Sequence, residues 1–394
     1  MFDNHIPFSS QAEHVGILRS VESGAMAAVL ARVAAHTRAL HAVLPAGLAR
    51  GHCGNPAASL KIQQLYAEPV LFSGLASLVL GKQELDAIDH HLKVTLERLL
   101  RLYPSTPAPV VLLLAGSLPA RGILHLRQLT LLAMIGRLGH SSILHRLGVH
   151  ILSNPTHMPR SPTSSLWFLQ VRQICIQYNL QDPLLVLAHP PTKGTWRSMI
   201  RRAVVAYWDN KLKTEASTLP SISHLRLSHM PPAVTSPLIT TCHGNPHEVR
   251  KATIQLRMLS GRYRTDWLRR HWSGESSGFC RVPGCSGNSP GTLSHLATGD
   301  CPGLALATKD ASTHWSNFLA NQPYLRPLIL QVASGEKADF LGFLLNPTTH
   351  HSVIALTQVY GDLVIEHVCH LTRSWLYIHH RARLRALDIW EALI

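Results

Sequence analysis

Residues 279–304, FCRVPGCSGNSPGTLSHLATGDCPGL, hold three of the chain's seven cysteines and one histidine, spaced Cys280-x4-Cys285-x9-His295-x5-Cys301. Zinc takes four sulfur or imidazole ligands in a tetrahedron, and two close pairs separated by a loop supply that set. The loop between the pairs, SGNSPGTLS, is rich in Gly, Ser and Pro, so the backbone can bend around an ion. Its nine residues leave little room for the recognition helix of a DNA-reading finger, so the spacing predicts a small knuckle with Cys280, Cys285, His295 and Cys301 as zinc ligands. A segment this short has almost no core of its own, and its folding would depend on the metal. The competing reading is a coincidence of free thiols and one imidazole. The leading spacing of four residues, wider than the tightest finger turns, keeps that reading open. Cys242, His243 and His247 in CHGNPH suggest a second site, but no fourth ligand stands near them.

Just upstream, HEVRKATIQLRMLSGRYRTDWLRRHW (247–272) interleaves cations with aromatics. Arg250, Arg257 and Arg264 are seven apart and would share a face if one helix ran through them, although Gly261 is a natural stop. Lys251, Arg262, Tyr263, Arg269 and Arg270, with the indoles Trp267 and Trp272, add charge and stacking surface. Such a face beside a zinc knuckle suits a single strand or hybrid held by its phosphates and bases, so all seven of these cations and Tyr263 are candidate nucleic-acid contacts. The plainer alternative is a solvated helix face with a few core aromatics.

Composition agrees with a polyanionic partner. Thirty-seven Lys and Arg against 22 Asp and Glu give a net charge of +15, before any of the 26 histidines protonate. A cation of this size draws phosphates through counterion release. The hydrophobic fraction of 46% and charged fraction of 15% argue for packed cores rather than disorder. No basic n-region followed by an apolar stretch opens the chain, and the longest uncharged apolar run, 107–120, is too short to span a bilayer. Seven cysteines, an odd number spread thinly outside the 280–301 cluster, fit a reducing compartment. The expectation is an intracellular protein of the cytoplasm or nucleus, with no membrane partner and no evident small-molecule substrate. GNSPG (287–291) imitates a hydrolase elbow, but Pro290 follows Ser289 and has no N–H for an oxyanion hole. No phosphate-binding loop, His-Glu-x-x-His or dinucleotide fingerprint occurs.

Apolar recurrence at helical spacing dominates the rest. In 195–213, Trp196, Ile200, Val204, Trp208 and Leu212 recur every fourth residue beside Arg197, Arg201, Arg202, Lys211 and Lys213. Residues 85–103 and 352–387 read as helices, and 123–152 as one or two buried helices broken near Gly139. Short strands are expected at 14–20 and 107–116. Loops fall at 44–59 and 103–109, and proline-rich linkers at 153–165 and 218–238. The fold class is therefore mainly α, multi-helical, with a small zinc knuckle and few short strands.

Read in order, these segments resemble the C-terminal region of reverse transcriptases from LINE-type, non-LTR retrotransposons. MLSGRYRTD, followed by the two cysteines, TLSHL and CPGL, is similar to that family's basic helix and Cys-Cys-His-Cys knuckle. IPFSSQAEHVGILRS resembles the segment after the catalytic palm, and Leu-Tyr-x-x-Pro-Val-Leu-x-x-Gly-Leu (65–75) the thumb. GSLPARGILHLRQLTLLAMI and SLWFLQVRQICIQYNLQDPLLVL resemble the helical linker, and SWLYIHHRARLRAL the closing segment. The resemblance implies a post-palm segment at 1–43, a thumb-like region at 44–106, a helical linker region at 107–240, basic helix plus knuckle at 241–305, and a helical region at 306–394. It implies a grip on RNA or an RNA–DNA hybrid template–primer. The family's polymerase chemistry uses adjacent palm aspartates that hold two Mg²⁺, and no two aspartates are adjacent here. The expectation is thus a noncatalytic, zinc-containing fragment, weighed against a residual polymerase or nuclease and against a helical protein-binding scaffold.

Overall fold

The computed structural model describes residues 11–14, 17–20, 25–43, 55–154, 167–219, 222, 229–243, 245–274 and 277–387. It is mainly helical. Strands β1 (Gln11–His14) and β2 (Ile17–Ser20) pair as an antiparallel hairpin, so the one strand expected at 14–20 is strand β2 only from Ile17, and His14 ends β1. Helices α1 (Ala25–Val43), α2 (Pro56–Ile62), α3 (Glu68–Leu71), α4 (Lys82–Leu99), α5 (Ala108–Ala115), α6 (Ala120–Leu138) and α7 (Ile143–Ser153) follow. Next come α8 (Trp167–Gln177), α9 (Pro183–Ala188), α10 (Lys193–Ser217), α11 (Pro237–Thr240), α12 (Pro246–Leu259) and α13 (Asp266–Ser273). Last are α14 (Leu293–Ala297), α15 (Ala305–Asn321), α16 (Arg326–Ala333), α17 (Lys337–Leu345), α18 (His351–Tyr360) and α19 (Leu363–Ala386). Packing divides the chain into two compact units, one of residues 1–43, 61–93 and 118–211, the other of 44–60, 94–117 and 212–394.

Residues 107–116 correct the expectation of a strand. The run is the helix α5, with Pro109 in its first turn, where a missing N–H costs nothing. Gly116 ends it at φ +64, and a Cβ there would lie 2.2 Å from the Val234 backbone, so this turn requires glycine. A wholly apolar run buried on every side has no period, and its sequence cannot separate buried strand from buried helix.

In the first unit, α6 to α10 share one core. Trp196, Ile200, Val204 and Trp208 form the buried line of α10, as their four-residue spacing predicts. Two indoles fix the rotation of that helix: Trp196 Nε1 donates to the Leu129 carbonyl at 2.8 Å, and Trp208 Nε1 to the Tyr178 hydroxyl at 2.7 Å. The break expected near Gly139 falls between α6 and α7.

In the second unit, α19 is the central post, with α12, α15, α17 and α18 packed along it. Its Trp375 stands 4.6 Å, ring to ring, from Trp315 of α15. Gln255 of α12 donates to the Leu344 carbonyl at 2.8 Å and to Thr372 Oγ1 at 3.1 Å. Glu248 lies between Lys251, His370 and Arg373. Burial alone would raise its carboxyl, but hydrogen bonds from His370 and Lys251 and their charges hold it down to about 2. The linker expected at 153–165 lies almost wholly outside the described residues, as does part of 218–238. Among the described residues no single helix is long and apolar enough to cross a membrane.

Candidate metal centre and its basic surround

The knuckle is assembled from turns. The Cys285 N–H donates to the Val282 carbonyl at 3.1 Å and closes a turn after Cys280. An antiparallel bridge joins Phe279 to Pro290, with the Cys280 N–H donating to the Ser289 carbonyl at 2.9 Å. The hydrolase-like GNSPG is therefore one wall of the knuckle. Thr292 caps α14 by accepting from the His295 N–H at 3.2 Å, which sets that imidazole at the third position of a short helix. Cys301 precedes a tight turn at Pro302–Leu304. Gly303 in that turn meets the first turn so closely that a Cβ would stand 2.3 Å from the Pro283 carbonyl oxygen. Only glycine permits this approach.

These turns bring all four expected ligands together. One donor atom from each of Cys280, Cys285, His295 and Cys301 lies within 4.8 Å of the others. Cys280 Sγ and Cys301 Sγ are 3.7 Å apart, and Cys285 Sγ is 3.5 Å from His295 Nε2. A tetrahedral centre bonded to sulfur at about 2.3 Å and to nitrogen at about 2.0–2.1 Å has edges of about 3.8 Å between sulfurs and about 3.6 Å between sulfur and nitrogen. These two edges match, within a donor set that spans no more than 4.8 Å. The cluster can hold a metal ion.

The electrostatics of the four side chains are mixed. Burial and the adjacent Cys280 push the Cys301 thiol up to about 12, and burial raises Cys280 as well. Burial lowers the His295 pKa and keeps the imidazole neutral, the form that ligates. A divalent cation among three sulfurs reverses the thiol shifts by supplying the charge that burial removed. The inner side of the knuckle packs on α19 through Ile378, Ala382 and Ala386, and Trp375 Nε1 donates to the Ala297 carbonyl of α14 at 2.7 Å. Small residues at that contact let the knuckle sit close to the helix.

The basic segment divides the expected contacts. Its helix stops at Leu259, with Gly261 at φ +69, so Arg250, Arg257 and Arg264 do not share one continuous helix. Arg257 and Arg264 meet instead over the ring of Tyr103, at 5.1 and 5.9 Å, and Arg257 Nε donates to the Arg101 carbonyl. Lys251 and Tyr263 are corrections to an exposed binding face. Lys251 is buried and donates to Glu248 at 2.9 Å and Ser374 at 3.1 Å; Tyr263 is buried with its hydroxyl 2.7 Å from His380 Nδ1. The reason is that α19 covers the inner side of α12, so a cation on that side must find its partner within the fold. Arg250, Arg264 and Arg270 are exposed, while Arg257, Arg262 and Arg269 are half-buried. Arg270 donates to the Ser277 carbonyl at 3.2 Å.

Three neighbours, Phe279, Asp266 and Arg281, were not anticipated, whereas Trp267 was. Phe279 is 44% exposed and Trp267 39%, which sets two aromatic faces at the knuckle's edge. Gly278 lies against the second of them: a Cβ there would stand 3.5 Å from the Trp267 ring and 2.8 Å from Arg270 Cδ. Arg281, also exposed, pairs at 2.9 Å with the fully buried Asp266, which lies 3.9 Å from Arg383 of α19. Asp266 is the only acid between Glu248 and Glu275, and a lone acid in a cationic run is the signal that could have found it. Cys242 sits beside Arg373 and His243 pairs with Glu366, so CHGNPH is tied up within the fold; among the described residues the Cys3His set is the one metal-sized cluster. Cys53 lies outside the described residues.

Fold and site together define a mainly helical chain carrying a Cys3His cluster of tetrahedral size. Compared with known protein families, curated proteins and solved structures, the chain matches none of them.

Proposed function

We propose that Cys280, Cys285, His295 and Cys301 hold one zinc ion, and that the knuckle so formed helps bind RNA or an RNA–DNA hybrid template–primer without catalysing a reaction. On this reading the chain is a noncatalytic part of a non-LTR retrotransposon reverse transcriptase. The observation that carries it is the pair of edges, 3.7 Å between sulfurs and 3.5 Å between sulfur and nitrogen, in a donor set of three thiols and one imidazole. That soft, tetrahedral set suits zinc, which has no redox chemistry and no open coordination position to supply here. Bound zinc would supply folding energy; the surrounding residues do the binding. Trp267 and Phe279 offer faces on which unpaired bases stack, each worth about 1–3 kcal/mol, and Arg264, Arg270 and Arg281 supply charge for the phosphates. The order of sequence segments and the net charge of +15 support the same reading.

Metal analysis of purified protein should give one zinc per chain, and X-ray absorption should show sulfur neighbours around it. Replacing Cys280 and Cys285 by Ser should remove the zinc and weaken RNA binding. Protein with no stoichiometric zinc, or RNA binding indifferent to that double substitution, would sink the proposal. Nucleotide incorporation in a primer-extension assay with Mg²⁺ would overturn its noncatalytic part.

A further inference from the structure

The charge of this chain is unevenly placed. Between Arg98 and Trp208 its only acid is Asp182, and Arg172 pairs with that carboxylate at 3.1 Å. Four cations of this stretch lie close together on α10. Lys193, Arg197 and Arg201 follow one another at four-residue steps, a ridge about 12 Å long, with Arg202 beside it. All four are exposed, and none makes an ion pair with any described residue. The positions three and four residues away on the helix offer Trp, Ser, Gly, Met, Val, Ala, Ile or another cation, never an acid. Like charges at that spacing weaken a helix, and cations near its N-terminal end face the positive end of the dipole. The arrangement gains nothing within the fold, and an external polyanion would relieve it.

The ridge is also held still. Trp196, Ile200, Val204 and Trp208 are buried on the other side of α10, and the two indole hydrogen bonds lock its rotation. Most of the apolar side of α10 is spent in the core, and the partly exposed Met199 and Tyr207 are too little apolar surface for the helix to insert into a lipid surface. Three of the four cations Lys193, Arg197, Arg201 and Arg202 are Arg, whose planar fork matches phosphate oxygens in pairs.

We infer that the exposed face of α10 bearing Lys193, Arg197, Arg201 and Arg202 is a second contact surface for the phosphate backbone of single-stranded RNA, independent of the metal. It belongs to a different compact unit from the knuckle. It shares the ligand class of the proposal above but none of its residues.

The test is fluorescence anisotropy of the full chain with a labelled single-stranded RNA of mixed sequence, across a series of salt concentrations. The triple variant R197Q/R201Q/R202Q should bind roughly tenfold more weakly, and its plot of log affinity against log salt should be shallower by about 2, the loss of three phosphate contacts. The variant R197K/R201K/R202K keeps the charge and should keep the slope. The same loss of slope should appear when the Gln triple is placed on the Cys280→Ser, Cys285→Ser background, which separates this surface from the zinc reading. An unchanged slope in the Gln triple overturns the inference, as does an equal loss in the Lys triple. A loss that needs the intact knuckle overturns metal independence. Retained RNA binding with lost binding to phosphatidylserine vesicles would reassign the surface to membranes. A parent chain that binds no RNA overturns this inference and the knuckle reading together.

Discussion

Asp266 is fully buried, with its carboxylate 2.9 Å from the Arg281 guanidinium and 3.9 Å from that of Arg383. The two pairs differ in worth. The Arg281 side chain is 45% exposed, so water screens it and its loss should cost under about 1 kcal/mol. Arg383 is buried, and removing its counter-charge leaves a cation in the interior, a change that costs about 3–5 kcal/mol. Asp266→Asn should therefore destabilise the chain far more than Arg281→Ala, as read from urea midpoints. Equal, small losses in both would show that Asp266 is not the clamp between α13, the knuckle and α19. At this scale the metal ligands were legible, because soft donors at paired spacing have few other uses. The basic residues were legible only as a group. Lys251 follows Arg250 by one position on α12, Tyr263 precedes Arg264 by one in the connection after it, and which of them faces inward depends on α19, more than a hundred residues away.

At the scale of elements, helix ends were the readable feature. Glycines divide α6 from α7 and α12 from α13 where the sequence places them, because few other residues stop a helix as readily, whereas the break at Gly361 between α18 and α19 falls inside the run 352–387 that reads as helix. Residues 107–116 misled, since burial on all sides erases the period that distinguishes helix from strand. The packing of one turn on another was equally hidden, and Gly303 is its clearest case. A Cβ at that position would stand 2.3 Å from the Pro283 carbonyl oxygen and 2.7 Å from Val282 Cγ1. Backbone cannot yield as a long side chain can, so Gly303→Ala should part the turn that carries Cys301 from the one between Cys280 and Cys285. Metal affinity should fall about 10–100-fold, the usual penalty for disturbing the support of a ligand set. Competition with a chromophoric chelator measures it, and parental affinity in the variant would refute the assembly described. Chelation of the parent chain makes a companion prediction. Amide exchange should accelerate across 279–304, whose own apolar core is small, and stay slow along the buried line of α10.

For the molecule as a whole, the unusual quantity is histidine: 26 in 394 residues, several of them deep in the fold. His36 and His125 belong to one compact unit, His379 and His380 to the other, and all four are buried. Burial, with the nearby His91, lowers the pKa of His36 to about 4; burial, with the nearby Arg121, does the same for His125. His380 falls to about 4 through burial and then the charge of Arg383, while burial lowers His379. An unfolded histidine titrates near 6.5, so between about 6.5 and 4 the unfolded chain binds more protons than the folded one. Their stabilising effect is complete above that window and is lost as pH falls through it, each group adding up to about 1.4 kcal/mol per pH unit. Glu248 acts in the same direction but lower, because its carboxyl is held at about 2 against an ordinary value of 4.5. Acid should thus weaken the chain in two stages, histidines first and Glu248 after. Because each unit contains such histidines, urea unfolding followed by one probe in each should show both midpoints falling together as pH drops from neutral to about 4. Excess zinc should not cancel the shift in the unit that lacks the knuckle, which separates proton uptake by buried imidazoles from metal release. A midpoint that stays level across that range in either unit would mean that its histidines are hydrated and titrate as in the unfolded chain.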